Sequence, residues 1–168
     1  MNLVVDASIA IKWFLPESFS DQAGTLLTGG DVLFAPAFLL VECGNILWKK
    51  VRLGQMSRGD SHAALETLAS GPLDYLPTTP LIEQTVNLAH AIDHPLYDCL
   101  YLAAAEAIDA TLVTADRQLF ERATRSSLER QVAWIADWAR TAGGADRLRS
   151  GRAASLPVPQ SSPDACWP

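Results

Sequence analysis

Cysteine is scarce in this chain: Cys43, Cys99 and Cys166 are the only three in 168 residues, and no C-x-x-C occurs. That excludes a disulfide framework and a thiolate metal knuckle, and it suits a reducing, cytoplasmic location. Cys43 and Cys99 read as core fillers. Histidine is equally sparse. His90 and His94 have the i, i+4 spacing of a ligand pair, but Pro95 interrupts the helical register, and His62 falls on the surface of an amphipathic stretch. No apolar run approaches the roughly 20 residues that span a bilayer, so no membrane association is expected. Met1 to Leu15 is apolar enough to resemble a secretory leader, yet it lacks a basic start and holds Asp6 and Lys12, so it reads as strand and helix.

An excess of positive charge is also missing. The formal net charge is -6. Arg140 to Pro168 holds four arginines and two aspartates, which leaves residues 1–139 with nine bases against seventeen acids. An acidic body is a poor nonspecific binder of nucleic acid, because phosphates need cations beside them. Bound divalent ions would locally offset several of those acids, so the charge opposes a nuclease only weakly.

What is present is a globular composition, 49% hydrophobic and 19% charged, on a chain sized for one domain with a sizeable core. Short apolar runs at Leu3 to Val5, Val32 to Phe34, Leu73 to Leu76, Thr111 to Thr114 and Gln131 to Ile135 read as five strands. Between them, helices are expected over Ser8 to Leu15 with Ser8 as cap, Ser18 to Leu27, Ala37 to Leu53 after Pro36, Ser57 to Ala69, Thr79 to Ile92, Leu96 to Ile108, and a short one ending near Ala123. Alternating strands and helices imply an α/β fold with a mostly parallel five-stranded sheet flanked by helices. From Thr141 the composition turns to Gly, Ser, Ala, Arg and Pro without apolar periodicity, so residues 140–168 are expected to form a disordered tail and residues 1–139 the domain.

Four carboxylates stand out. Asp6 and Asp116 each close an apolar run, while Glu42 and Asp98 interrupt helical ones. Burying a lone carboxylate costs several kcal/mol, so such groups are neutralised, paired or bound to metal. Parallel sheets place ligands beyond the carboxyl ends of their strands, where Asp6 and Asp116 lie. Glu42 shares a helical face with Leu39, Asn45 and Ile46, and Asp98 falls in the first turn after Pro95. An all-oxygen set without thiolates selects hard cations, Mg2+ or Mn2+, whose natural substrates are phosphate esters. Plainer readings stand beside this one. Asp6 is also an ordinary strand-end residue, Asp116 a helix cap, and Glu42 or Asp98 a partner for a base, with Lys12 the base nearest an acid site.

Ser8 and Thr114 each sit two residues from an acid, in D-A-S and T-A-D, where a hydroxyl either supports a hydrated cation or caps a helix. Asn45 either orients Glu42 or satisfies backbone, and Arg117 either meets phosphate or stays solvated. Trp13 and Trp48 follow acid-bearing segments and are candidates for a partner groove.

Three stretches, VVDASIAIKWFLPE, APAFLLVECGNILWKK and HPLYDCLYLAAAEAIDATLVTADRQLFER, resemble in order and spacing the PIN-domain ribonucleases of the VapC toxin type, over about residues 2–138. The resemblance rests on D-x-S after the first strand, E-x-x-N in the third helix, and YD followed by a T-x-D strand end. It implies a Mg2+- or Mn2+-dependent endoribonuclease that acts as the toxin of a toxin–antitoxin pair and commonly forms a homodimer. It also implies a metal site of Asp6, Glu42, Asp98 and Asp116 supported by Ser8 and Thr114, with Asn45 as the polar residue following the second acid. The antitoxin would insert a segment into the acidic groove, often presenting an arginine. Residues 141–168 extend past the usual end of such toxins. Two rivals remain: a catalytically inactive PIN-like module that binds antitoxin or RNA, and a phosphoaspartyl phosphatase using Asp6, which would need a second acid where Ser8 stands.

Overall fold

A computed structural model describes residues 1–138; the tail expected from residue 140 lies outside them. Five strands, β1 (Asn2–Val5), β2 (Val32–Pro36), β3 (Leu73–Leu76), β4 (Thr111–Thr114) and β5 (Val132–Trp134), pair in the order β3-β2-β1-β4-β5, every neighbouring pair parallel. The central strand is covered on both faces: Leu3, Val4 and Val5 are each 0% exposed. Strand order reverses between β1 and β4, so the carboxyl ends of these two strands bound the switch-point crevice.

Eight helices connect and flank the strands among the described residues: α1 (Ala7–Ala10), α2 (Ser20–Thr28), α3 (Leu39–Arg52), α4 (Arg58–Ser70), α5 (Ile82–Ile92), α6 (Leu96–Ala107), α7 (Arg117–Thr124) and α8 (Ile135–Trp138). The alanine-rich α6 lies against β1, β2 and β4, and its run Cys99 to Ala105 is buried without interruption. Small side chains let this helix approach the sheet closely, which brings its first turn up to the crevice.

Several boundaries differ from the sequence expectations for local reasons. Asp6, not Ser8, caps α1, since its carboxylate accepts from the Ile9 N–H, and the helix tightens into a 3-10 turn over Ile11–Trp13. Ser20 accepts from the Glu17 N–H and donates to Leu15 O, a turn that delays α2 to Ser20. Pro36 ends β2 rather than starting a helix. It is aligned with Leu76 of β3 and lies past the last β1 partner, Phe34, so its missing N–H breaks no ladder bond to β1. The helix after it begins at Leu39, which puts Glu42 in the first turn. Pro80 holds Thr79–Leu81 as a separate 3-10 turn before α5. Asp93 takes φ 50° at the end of α5, which separates His90 and His94 and removes the i, i+4 pair.

Candidate active site

The ends of β1 and β4 are joined by side chains. Asp6 is 4% exposed. Ser8 Oγ donates to its Oδ1 at 2.6 Å, the Ile9 N–H donates to the same oxygen at 3.1 Å, and Thr114 Oγ1 donates to Oδ2 at 2.5 Å. The two hydroxyls also accept: Ser8 Oγ from the Ala115 N–H at 2.9 Å, and Thr114 Oγ1 from the Asp116 N–H at 2.9 Å. D-A-S and T-A-D are therefore two halves of one hydrogen-bonded clasp across neighbouring strands. Asp116 completes it as the N-cap of α7, accepting from the Gln118 and Leu119 N–H groups at 2.8 and 3.1 Å through one oxygen, Oδ1. The capping expectation for Asp116 holds, and Asp6, expected only as a strand-end residue, caps a helix as well. The capping role expected of Ser8 does not hold.

The other two acids come from helix starts. Glu42 and Asp98 stand in the first turns of α3 and α6, where the positive helix end favours a carboxylate. Tyr101 Oη donates to Glu42 Oε2 at 2.7 Å, and His94 Nε2 lies 3.0 Å from Asp98 Oδ2. Neither partner was singled out from the sequence for these roles. Tyr101 lies one helical turn beyond Asp98 in the same apolar run, a legible signal; the spacing of His94 points only to a ligand pair with His90. Asn45, expected beside Glu42, is exposed on the next turn.

Electrostatics tie the four acids together. Burial raises the Asp6 carboxyl to about 6, against the hydrogen bonds from Ser8, Thr114 and Ile9, and Glu42 raises it further. Glu42 is also raised by burial, with added repulsion from Asp98 and Asp116 despite the Tyr101 hydroxyl. Asp98 is raised by burial; His94 opposes the shift and Asp116 reinforces it. Each acid thus lies within reach of at least one other, and His94 beside Asp98 is the one base paired with them among the described residues. Lys12 and Lys50 both pair with Glu17, and among the described residues no lysine or arginine forms an ion pair with any of the four.

This chemistry fits a divalent cation. Among the described residues no three His, Cys, Asp or Glu side chains are gathered into a ready-made cage.

The flanks sort the remaining candidates. Arg117 lies over the Trp134 ring at 5.1 Å and is largely exposed. Further along α7, Arg122 and Arg125 line a polar cavity of about 380 Å³ with Asp93, His94, Gln118 and Glu121. Trp13, expected as a groove candidate, is a core residue 1% exposed whose indole N–H donates to Ala23 O. Trp48 is 52% exposed and borders an apolar cavity between α3 and α4 with Leu47, Val51 and Leu65. Cys43 and Cys99 are buried free thiols, and burial raises both.

A parallel α/β sheet with acidic side chains that raise one another's pKa at its switch point defines the class: an α/β domain with an acidic crevice. The PIN domain family model matches residues 3–125. Ribonuclease VapC3 of Pyrobaculum aerophilum is 32% identical over 124 residues, covering 73% of this chain and 95% of that protein. Ribonuclease VapC1 of Mycobacterium tuberculosis is 32% identical over 117 residues, 69% of this chain and 86% of the relative. Among solved structures, PAE2754 from Pyrobaculum aerophilum superposes with a TM-score of 0.63 at 22% identity over 82% of this chain and 92% of its own. VapBC-1 from nontypeable Haemophilus influenzae does so at 0.55 and 18% identity, over 81% and 99%. The chain belongs to the PIN domain family, in its VapC branch.

Proposed function

We propose that this chain is an endoribonuclease that hydrolyses RNA phosphodiester bonds with Mg2+ or Mn2+, as the toxin of a toxin–antitoxin pair acting in the cytoplasm. The convergence of Asp6, Glu42, Asp98 and Asp116, each raising the charge cost of another, is the observation that carries this reading. A bound cation supplies the positive charge that lets a phosphate approach these acids and makes water a stronger nucleophile. Asp6, Glu42, Asp98 and Asp116 would hold it. Ser8 and Thr114 fix the Asp6 carboxylate by donating to both of its oxygens, and Tyr101 fixes Glu42. The unused Asp116 oxygen and the half-buried Asp98 carboxylate face the task of orienting the attacking water. No side-chain nucleophile is required. The Ser8 position lacks the second acid of a phosphoaspartyl phosphatase, and retention of all four acids argues against an inactive module.

The relatives' ribonuclease names support the RNA substrate, and the VapBC neighbour supports a cognate antitoxin. An antitoxin arm presenting an arginine would meet the same acids, and Trp48 offers an anchor for a partner helix or for a second copy in a homodimer. The purified chain should cut single-stranded RNA when Mg2+ or Mn2+ is added, and Asp6→Asn or Asp98→Asn should each lower cutting by on the order of 10²–10³-fold while the fold persists. Undiminished cleavage by both folded variants would reject the assignment.

A further inference from the structure

Two aromatic rings join the helix starts that carry Glu42 and Asp98. Phe38 immediately precedes α3, and its carbonyl accepts from the Glu42 N–H at 3.1 Å. Tyr97 immediately precedes Asp98 in α6. Their rings stack with centroids 5.5 Å apart and only 8° between planes. Phe38 is half-buried, as a residue sealing the α3–α6 seam should be. Tyr97 is 61% exposed. A ring that only filled the seam would bury most of its area; this one has Phe38 on one side and much of its surface in water.

We propose that Tyr97, backed by Phe38, is a stacking platform for an unpaired RNA base next to the scissile phosphate. The proposal rests on the nuclease reading and adds a substrate subsite to it. The chemistry of the surroundings favours a base as occupant. The nearby acids repel phosphates, and none has a lysine or arginine ion-paired to it among the described residues, so a nucleotide here needs a grip that does not depend on charge. Stacking supplies one and tolerates any base, because every base has a π face. Phe38 holds the Tyr97 ring in place before the base arrives, which lowers the entropy cost of ordering it. A base inside a duplex is already stacked, so the subsite selects single strands.

Binding is measured by fluorescence anisotropy of a short, mixed-sequence, fluorescein-labelled single-stranded RNA. The full chain carries Asp6→Asn to suppress cleavage, and Mn2+ is present. Adding Tyr97→Leu, which keeps apolar bulk but removes the ring, should weaken binding about tenfold. Tyr97→Phe should stay within about twofold, and Tyr97→Trp should bind at least as tightly. The same RNA annealed to its complement should show no dependence on residue 97. Thermal unfolding of each variant checks that the seam stays closed. Equal single-strand binding by folded Leu, Phe and Trp variants would overturn the subsite and leave the exposed ring to a protein contact. Cleavage of RNA by the wild-type chain, run in parallel, separates the two readings: if it is present while binding ignores residue 97, only the stacking platform fails; if it is absent, the nuclease assignment fails.

Discussion

Asp6 and Asp116 sit at strand ends, enclosed by backbone N–H groups and the Ser8 and Thr114 hydroxyls, whereas Glu42 and Asp98 sit in first helical turns where each meets one side-chain partner. The first pair is bound into the sheet, and its members also serve as helix caps. The second pair depends on how α3 and α6 pack over that sheet. The two halves therefore differ in what holds them: backbone and hydroxyl donors at the strand ends, single side chains at the helix starts.

Exchanging one acid in each half is the strongest way to break this comparison. Asp6→Asn and Asp98→Asn should each lower RNA cleavage by on the order of 10²–10³-fold, the scale for losing one preorganised electrostatic group. Initial rates with labelled RNA measure it, and a large loss in one half alone would mean that the other is not part of the site.

Acid titration separates the halves by burial. The Asp6 carboxyl is raised from 3.8 to about 6 by burial, so the folded chain binds its proton more tightly than the unfolded chain. Stability without metal therefore falls as pH rises from about 4 to about 6 and levels off above. Asp6 alone contributes about 3 kcal/mol to this loss, to order of magnitude. Glu42 and Asp98 are raised too and add in the same direction. Urea unfolding at pH 4 and pH 7 in chelator reads the difference, and Mn2+ should recover much of it at pH 7.

Thr114→Val keeps the shape of a fully buried side chain but removes the hydroxyl's bonds to Asp6 and from the Asp116 N–H, together with its longer contact to Ser8 Oγ. It should cost about 2 kcal/mol in urea unfolding, because the Asp116 N–H and an Asp6 oxygen each lose a partner. Tyr101→Phe should cost less, about 1 kcal/mol or under, since Glu42 remains half-buried near water. Its clearer effect should be on Mn2+ affinity, weakened about tenfold by the loss of an orienting hydrogen bond. Equal stability losses for the two variants would erase the distinction between the halves.

The contrast also explains what could be read from the chain. β3 and β4 fall on the expected residues because short apolar runs bounded by Gly71-Pro72 and Asp109-Ala110 leave little choice of register. The strand-end acids were legible for a similar reason: D-A-S and T-A-D are local patterns, and their partners lie two or three residues away or on the neighbouring strand. The cap expected at Ser8 does not form because its hydroxyl donates to Asp6, two residues back, and accepts from the Ala115 N–H across the sheet, a contact that local spacing does not encode. Tyr101 was missed because it reaches Glu42 across 59 positions of sequence. Neither helical periodicity nor spacing encodes such a contact; it appears only once α3 and α6 are packed.

Isothermal titration of Mn2+ into the wild-type chain and into Asp98→Asn tests most directly whether these four carboxylates exist to hold a cation. Saturable uptake by the wild type, weakened at least about tenfold in the variant, is the expected result. No uptake by the wild type, or undiminished uptake by folded Asp98→Asn, would contradict it.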